Sequence, residues 1–151
     1  MAKEQLSPET TLKIRRTFQA PRERVFRAWT DAAELARWFA PSAEYTTVVP
    51  ELDLKVGGKY KLEMQHKGGN INKVGGTYRE IVPPEKIVFT WRWENDPSAH
   101  ESLVTIEFLD LGPATEVLLT HAQLPNVDQR DKHSQGWDGC LTRLEQYVEA
   151  S

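Results

Sequence analysis

The chain reads GGTYREIVPPEKIVFTWRW over residues 75–93, and this stretch predicts two antiparallel strands joined by a turn. The turn falls at Pro83-Pro84-Glu85, because proline has no N–H to give to a strand ladder. Large apolar side chains then recur at every second position, and alternate residues of a strand share a face. They are Ile87, Phe89, Trp91 and Trp93. Such a face requires a thick core or an apolar pocket to cover it.

The same alternation of apolar and polar residues recurs before and after this stretch. It predicts strands over residues 10–19, 45–54, 59–66, 73–82, 86–93, 101–109 and 115–121. Short turns separate the last six, as the diglycine at 68–69 illustrates. Consecutive strands joined by short turns predict an antiparallel meander.

Helical spacing predicts three helices outside these strands. Pro21 suits the first turn of one short helix, and Asp31 can cap a second, with Glu34 in the capping-box position. A long amphipathic helix, capped by Asn126 or Asp128, runs to about residue 149. Its apolar stripe consists of Trp137, Leu141, Leu144 and Val148.

Together these elements predict an α+β fold in which a curved antiparallel β-sheet wraps around the long C-terminal helix, with two short helices after the first strand. A groove should remain between sheet and helix, where Gly136 and Gly139 either permit close approach or leave space. We expect residues 1–9 to be disordered and residues 10–150 to form a single domain, because the sequence contains no repeat or linker.

The order of elements resembles the helix-grip, START-like fold of the SRPBCC superfamily, to which the birch-pollen allergens belong. Within it, the chain is most similar to the family named after the activator of the 90-kDa heat-shock-protein ATPase. The resemblance covers residues 10–149 and rests on FQAPRERVFRAWT (18–30), LARWFAP (35–41), DLKVGGKY (53–60), GTYREIVPPEKIVFTW (76–91), Thr120-His121 and Gly136-Trp137.

This resemblance implies binding of a small hydrophobic or amphipathic molecule, such as a lipid, in an internal cavity between the sheet and the C-terminal helix, since members of the superfamily bind varied apolar ligands and a few are cyclases or aromatases. It also implies a connection with chaperones and stress. The eukaryotic co-chaperone carries a separate chaperone-binding domain before this one, and we expect this chain to lack it.

Composition excludes several other classes of protein. A formal net charge of -3 gives no general basic field for nucleic acid. No run approaches the roughly 20 apolar residues of a membrane span, so no membrane insertion is expected.

The lone Cys140 cannot form an internal disulfide, and the first residues lack the apolar core of a signal peptide, so a cytoplasmic location is expected. The spacing of the four histidines matches no metal-site motif, and no cofactor is expected.

The candidate cavity residues are aromatic, histidine and methionine side chains on the predicted inner faces, where they either line a ligand site or fill the core. They are Trp38, Tyr60, Met64, Tyr78, Trp91, Trp93, Phe108, His121, His133 and Trp137. His66 falls on an inner face by the same alternation.

Two other functions remain open at this point. A cyclase- or hydrolase-like enzyme would use Glu80, His121 or His133 as acid–base groups. Strict alternation turns Glu80 inward, whereas a bulge that buries Ile81 would turn it outward to pair with Arg79 or Arg92. A protein-interaction module would contact a chaperone, or a second copy as a homodimer, through an exposed apolar patch near Trp38-Phe39.

Overall fold

The computed structural model describes residues 7–94 and 100–150. Most of the predicted disordered N-terminus lies outside these residues, as does most of the connection between the strands predicted over residues 86–93 and 101–109. The elements follow the predicted order: β1 Leu12–Phe18, α1 Arg22–Thr30, α2 Ala32–Trp38, β2 Tyr45–Leu52, β3 Lys59–His66, β4 Ile71–Val82, β5 Lys86–Trp93, β6 Glu101–Asp110, β7 Thr115–Ala122 and α3 Val127–Ala150.

The strands form a seven-stranded antiparallel sheet in the order β1-β7-β6-β5-β4-β3-β2. β2 to β7 are a meander in which each strand pairs with the next, and β1 adds to its far end beside β7. The α+β helix-grip prediction is therefore confirmed. α3 packs against the sheet with its apolar stripe, and all members of that stripe are buried, as predicted: Trp137, Leu141, Leu144 and Val148.

Side-chain caps fix where two of the helices begin. The Asp31 carboxylate accepts a hydrogen bond from the Ala33 N–H at 3.0 Å, at the start of α2. The Asn126 side chain accepts one from the Gln129 N–H at 2.9 Å, so Asn126 rather than Asp128 caps α3. Each cap satisfies an N–H that has no partner within its own helix.

Glu34 does not reach back to close a capping box. Its carboxylate instead accepts hydrogen bonds from Arg24 at 2.6 Å, Arg27 at 2.8 Å and the Tyr147 hydroxyl at 3.1 Å. Burial acts to raise the pKa of Glu34, but these donors outweigh it and hold the pKa below its usual range. The carboxylate thereby ties α1, α2 and α3 together.

Two bulges interrupt the strand ladders. Between Tyr78 and Glu80 the β4 register advances two residues while β5 advances one, so Tyr78 and Ile81 both face the core. Glu80 is consequently exposed, and its carboxylate lies 3.3 Å from Lys86 rather than beside Arg79 or Arg92. A second irregularity lies in the edge strand β2 between Val48 and Glu51, a segment that contains Pro50.

Candidate functional site

A pocket of about 270 Å³ lies between β5 and the first half of α3. Its sheet side is formed by β3 and β5, its helix side by α3, and one end by the loop after α2. The lining is mostly apolar and consists of Phe39, Pro41, Met64, Trp91, Trp93, Gln129, Lys132, His133, Gly136, Trp137 and Cys140.

Aromatic rings packed edge to face or at a tilt form the wall of this pocket. The ring centroids of Trp91 and Trp137 lie 5.0 Å apart, and those of Trp91 and Trp93 5.4 Å apart at 90°. Phe39 meets Trp137 at 5.7 Å and 89°. Such geometry is favourable for aromatic pairs, and the extended faces suit a flat apolar molecule.

The two glycines of α3 have opposite roles at this site. A Cβ atom built on Gly136 meets no atom within 4 Å, so this glycine leaves space in the pocket. A Cβ atom on Gly139 would lie 2.1 Å from the Pro41 carbonyl oxygen, so this glycine lets the loop after α2 approach the helix. From the sequence, each glycine could either leave space or permit close approach. The structure shows that Gly136 leaves space and Gly139 permits close approach.

His133 connects α3 to β5 across the rim of the pocket. Its Nε2 atom accepts a hydrogen bond from the Trp93 indole N–H at 3.0 Å, and its Nδ1 atom lies 2.7 Å from the Gln129 carbonyl oxygen. A carbonyl only accepts, so Nδ1 carries the proton and the ring is neutral. Burial lowers the pKa of His133, which agrees with this state.

His121 forms a second buried network behind the pocket. Its Nδ1 atom accepts from the Trp137 indole N–H at 3.0 Å, while Nε2 lies 2.7 Å from the Ser102 hydroxyl. The Ser102 hydroxyl donates to the Trp91 carbonyl oxygen at 3.1 Å, so Nε2 must donate to Ser102. Burial, with a smaller contribution from His133, holds the pKa of His121 well below its ordinary value.

The structure does not bring all three proposed acid–base groups together, although the ring centroids of His121 and His133 lie only 5.1 Å apart. Glu80 is exposed, and both ring nitrogens of His121 and of His133 are engaged in hydrogen bonds within the protein. His66 lies on β3 next to Tyr45 and Glu44 and is partly exposed. No three His, Cys, Asp or Glu side chains of the described residues are placed to hold a metal ion.

Half of the ten predicted cavity residues line the pocket: Met64, Trp91, Trp93, His133 and Trp137. Tyr60 and Tyr78 line a smaller inner void on the other side of Trp91. Trp38, Phe108 and His121 pack in the core: the Trp38 indole N–H donates to the Ala28 carbonyl at 2.9 Å, and Phe108 meets Phe26 edge to face.

The prediction of an exposed apolar patch near Trp38-Phe39 is wrong, because the Trp38 and Phe39 side chains are only 1% and 3% exposed.

Sequence reasoning missed several lining residues. Gln129 and Lys132 belong to the polar half of α3, where an amphipathic stripe gives little indication of a pocket. Their spacing is nevertheless informative, since positions 129, 133 and 137, like 132, 136 and 140, recur on one helix face at intervals of four. Cys140 is buried and behaves as a small core residue, and burial raises the pKa of its thiol to about 12.

The inner void holds about 20 Å³ and lies between the helices and the sheet. Phe39 and Trp91 line both the void and the pocket, so their side chains form a shared wall between the two spaces. The remaining lining is Trp29, Leu35, Tyr60, Leu62, Tyr78, Ile87 and Phe89.

Comparisons with known proteins agree with the resemblance seen in the sequence. Residues 19–149 match the model of a family described as "Activator of Hsp90 ATPase homolog 1-like protein". The Homo sapiens protein "Activator of 90 kDa heat shock protein ATPase homolog 1" is 26% identical over 130 residues, which are 86% of this chain and 34% of that protein. The chain thus spans about a third of the length of the curated relatives that it matches first.

Solved structures share the whole fold. A protein from Chromobacterium violaceum superposes with a TM-score of 0.86 at 31% identity, covering 93% of this chain and 97% of that one. The AHSA1 protein from Silicibacter pomeroyi gives a TM-score of 0.81 at 25% identity, covering 93% and 98%. Within residues 7–94 and 100–150, none of the helices combines the length and apolarity that a bilayer crossing demands.

Proposed function

Because this chain belongs to the family of activator of Hsp90 ATPase homolog 1-like proteins, we propose that it performs the task for which the START-like fold is suited, the binding of a small apolar molecule between sheet and helix. The observation that carries the proposal is the pocket of about 270 Å³ whose wall is built from Trp91, Trp93, Trp137 and Phe39. A volume near 300 Å³ is at the lower end of ligand sites in proteins.

The polar groups around the pocket support a ligand that is mainly apolar. The His133 ring and the Trp93 N–H bond to each other, so neither needs a ligand to satisfy it. Lys132 lies at the rim with its ammonium 3.3 Å from Asp128. Binding energy would therefore come chiefly from apolar area removed from water, at about 25 cal/mol per Å².

The test uses a neutral fluorescent probe, N-phenyl-1-naphthylamine, and a variant that fills the pocket. A molecule of this size gains roughly 0.3 kcal/mol per heavy atom, which corresponds to a Kd of about a hundred micromolar. Gly136→Trp places an indole in the open space beside Gly136 and should weaken binding at least tenfold. The exposed Gln135, one residue earlier on α3, provides the matched control Gln135→Trp, which should bind the probe like the parent protein.

Equal affinity in Gly136→Trp and Gln135→Trp would place the probe elsewhere and refute the proposal. Circular dichroism and a thermal unfolding curve of each variant establish that both are folded. Gly139→Trp is unsuitable for this purpose, since a Cβ atom there meets the Pro41 backbone.

A chaperone partner is the second candidate, and the names of the relatives support it. It needs a surface other than Trp38-Phe39, whose side chains are buried. The test is the ATPase rate of a 90-kDa heat-shock protein with and without the chain; an unchanged rate over a range of concentrations would contradict it. A cytoplasmic location belongs to the same proposal and agrees with the free, buried Cys140.

A further inference from the structure

Two of the five tryptophans have a buried indole N–H without a partner among the described residues, Trp29 and Trp91. Their side chains are 3% and 4% exposed. The other three indoles all donate: Trp38 to the Ala28 carbonyl, Trp93 to His133 and Trp137 to His121. A buried donor without an acceptor costs free energy, so most proteins satisfy such groups.

Both tryptophans are among the residues that line the inner void. Its volume of about 20 Å³ accommodates one oxygen-sized group, since a single water needs roughly 10–15 Å³ by this measure. Trp91 also belongs to the wall that separates the void from the pocket, together with Phe39. A molecule in the pocket therefore needs only a change in these two side chains to extend a small group into the void.

The void also restricts the chemistry of that group. Unpaired N–H donors require an acceptor, and a second donor such as an amine would leave them unsatisfied. No lysine or arginine lines the void, so a carboxylate would be buried there without a counter-charge. The Tyr60 hydroxyl already donates to the Thr90 carbonyl. A neutral oxygen with two lone pairs meets these conditions.

We infer that the ligand of this pocket is a flat, neutral carbonyl compound, such as an aryl ketone or a quinone, whose oxygen enters the inner void and accepts hydrogen bonds from Trp91 and Trp29. The inference rests on the proposed function, because the body of the ligand occupies the pocket against Trp137 and Trp93. The ring of Phe39 moves aside to admit the carbonyl.

The test compares molecules of one shape and different head groups. 2-Acetylnaphthalene carries a ketone, 2-isopropenylnaphthalene replaces its oxygen by a methylene group, and 2-naphthoate carries a charge. Calorimetry on the full chain should show the ketone binding roughly thirtyfold more tightly than the isopropenyl compound, as expected for two satisfied hydrogen bonds. The naphthoate should bind more weakly than the ketone.

Trp91→Phe removes one of the two donors and should lower the ratio of the two neutral affinities to roughly fivefold, whereas Trp93→Phe, whose indole already has His133 as a partner, should preserve the ratio of the unsubstituted protein. The unsubstituted protein supplies an independent measurement if Trp91→Phe does not fold. The indole Nε1–H resonances of Trp91 and Trp29 should move downfield with the ketone and remain in place with the isopropenyl compound.

Equal binding of the two neutral compounds, with unmoved indole resonances, would overturn the inference and leave the proposed apolar site intact. Tightest binding by 2-naphthoate, lost in Lys132→Met, would put the head group at the rim and also overturn it. Failure of all three to bind, together with no effect of Gly136→Trp on N-phenyl-1-naphthylamine, would refute the proposed function itself.

Discussion

Alanine substitution of the two glycines in α3 should change stability in opposite directions. The residues are less than one helical turn apart, and the substitution is the same in chemistry. At Gly136 a new methyl group meets no atom within 4 Å. At Gly139 it would lie 2.1 Å from the carbonyl oxygen, 2.9 Å from the carbonyl carbon and 3.3 Å from the Cα atom of Pro41. These are backbone atoms, so no side-chain rotation can relieve the contact.

The magnitudes follow from two opposing effects. Replacing a helical glycine by alanine stabilises a helix by about 0.5–1 kcal/mol, because alanine loses less conformational entropy than glycine when the chain folds. Gly136→Ala should show this gain. Overpacking costs about 1–3 kcal/mol, and a contact with backbone atoms belongs to the upper half of that range, so after the same gain Gly139→Ala should lose about 1–2 kcal/mol in total. The difference between the two variants should then be about 2–3 kcal/mol.

Urea unfolding followed by tryptophan fluorescence and circular dichroism measures both variants against the parent protein. Coincident curves from the two signals would support two-state behaviour. If Gly139→Ala were as stable as Gly136→Ala, α3 and the loop at Pro41 would not be in the close contact described, and the boundary of the pocket would be wrong.

The buried network of His121 and the carboxylate of Glu34 provide two further predictions. Burial keeps the pKa of His121 well below about 6.5, its value in the unfolded chain. The free energy of unfolding should therefore keep its full value above that pH and fall below it, by up to about 1.4 kcal/mol per pH unit for this histidine. Urea unfolding between pH 5 and 8 should show that stability depends less on pH in His121→Gln than in the parent protein. The same dependence on pH in both proteins would contradict the assignment. Glu34→Gln should cost about 1–3 kcal/mol in the same assay, through weaker bonds to Arg24 and Arg27. Glu145→Gln, whose side chain is 43% exposed and whose carboxylate lies 3.9 Å from Arg16, should cost less than about 0.5 kcal/mol, and an equal loss in both would contradict the special role of Glu34.

The fold could be predicted because its determinants are local. The alternation from Ile87 to Trp93 and the stripe from Trp137 to Val148 are read from residues that lie close in sequence. In α3 the buried residues follow the predicted stripe, whereas in β5 Val88 and Thr90 on the opposite face are buried as well. The caps at Asp31 and Asn126 are local as well. Predictions from such local patterns hold in the folded protein because tertiary packing buries the face that the pattern already makes apolar.

The details of the site depend on contacts between distant residues, and these left the sequence ambiguous. The orientation of Glu80 was decided by competition between strict alternation and burial of Ile81, which a bulge resolves. Glu34 sits in a capping position yet bonds to α1 and to Tyr147, which is 113 residues away. An exposed patch was predicted near Trp38 and Phe39, but Trp29 packs against Trp38 and Trp137 packs against Phe39.

The irregular edge strand β2 also bears on how this protein behaves at high concentration. Strands at the edge of an open sheet present N–H and C=O groups that can template addition of another chain, which is a route to aggregation. In β2, Pro50 has no N–H to offer, and the displaced register between Val48 and Glu51 breaks the regular spacing that an incoming strand would require. The sheet thus stops at β2, and the irregularity that ends the ladder disfavours the addition of another chain at this edge of the sheet.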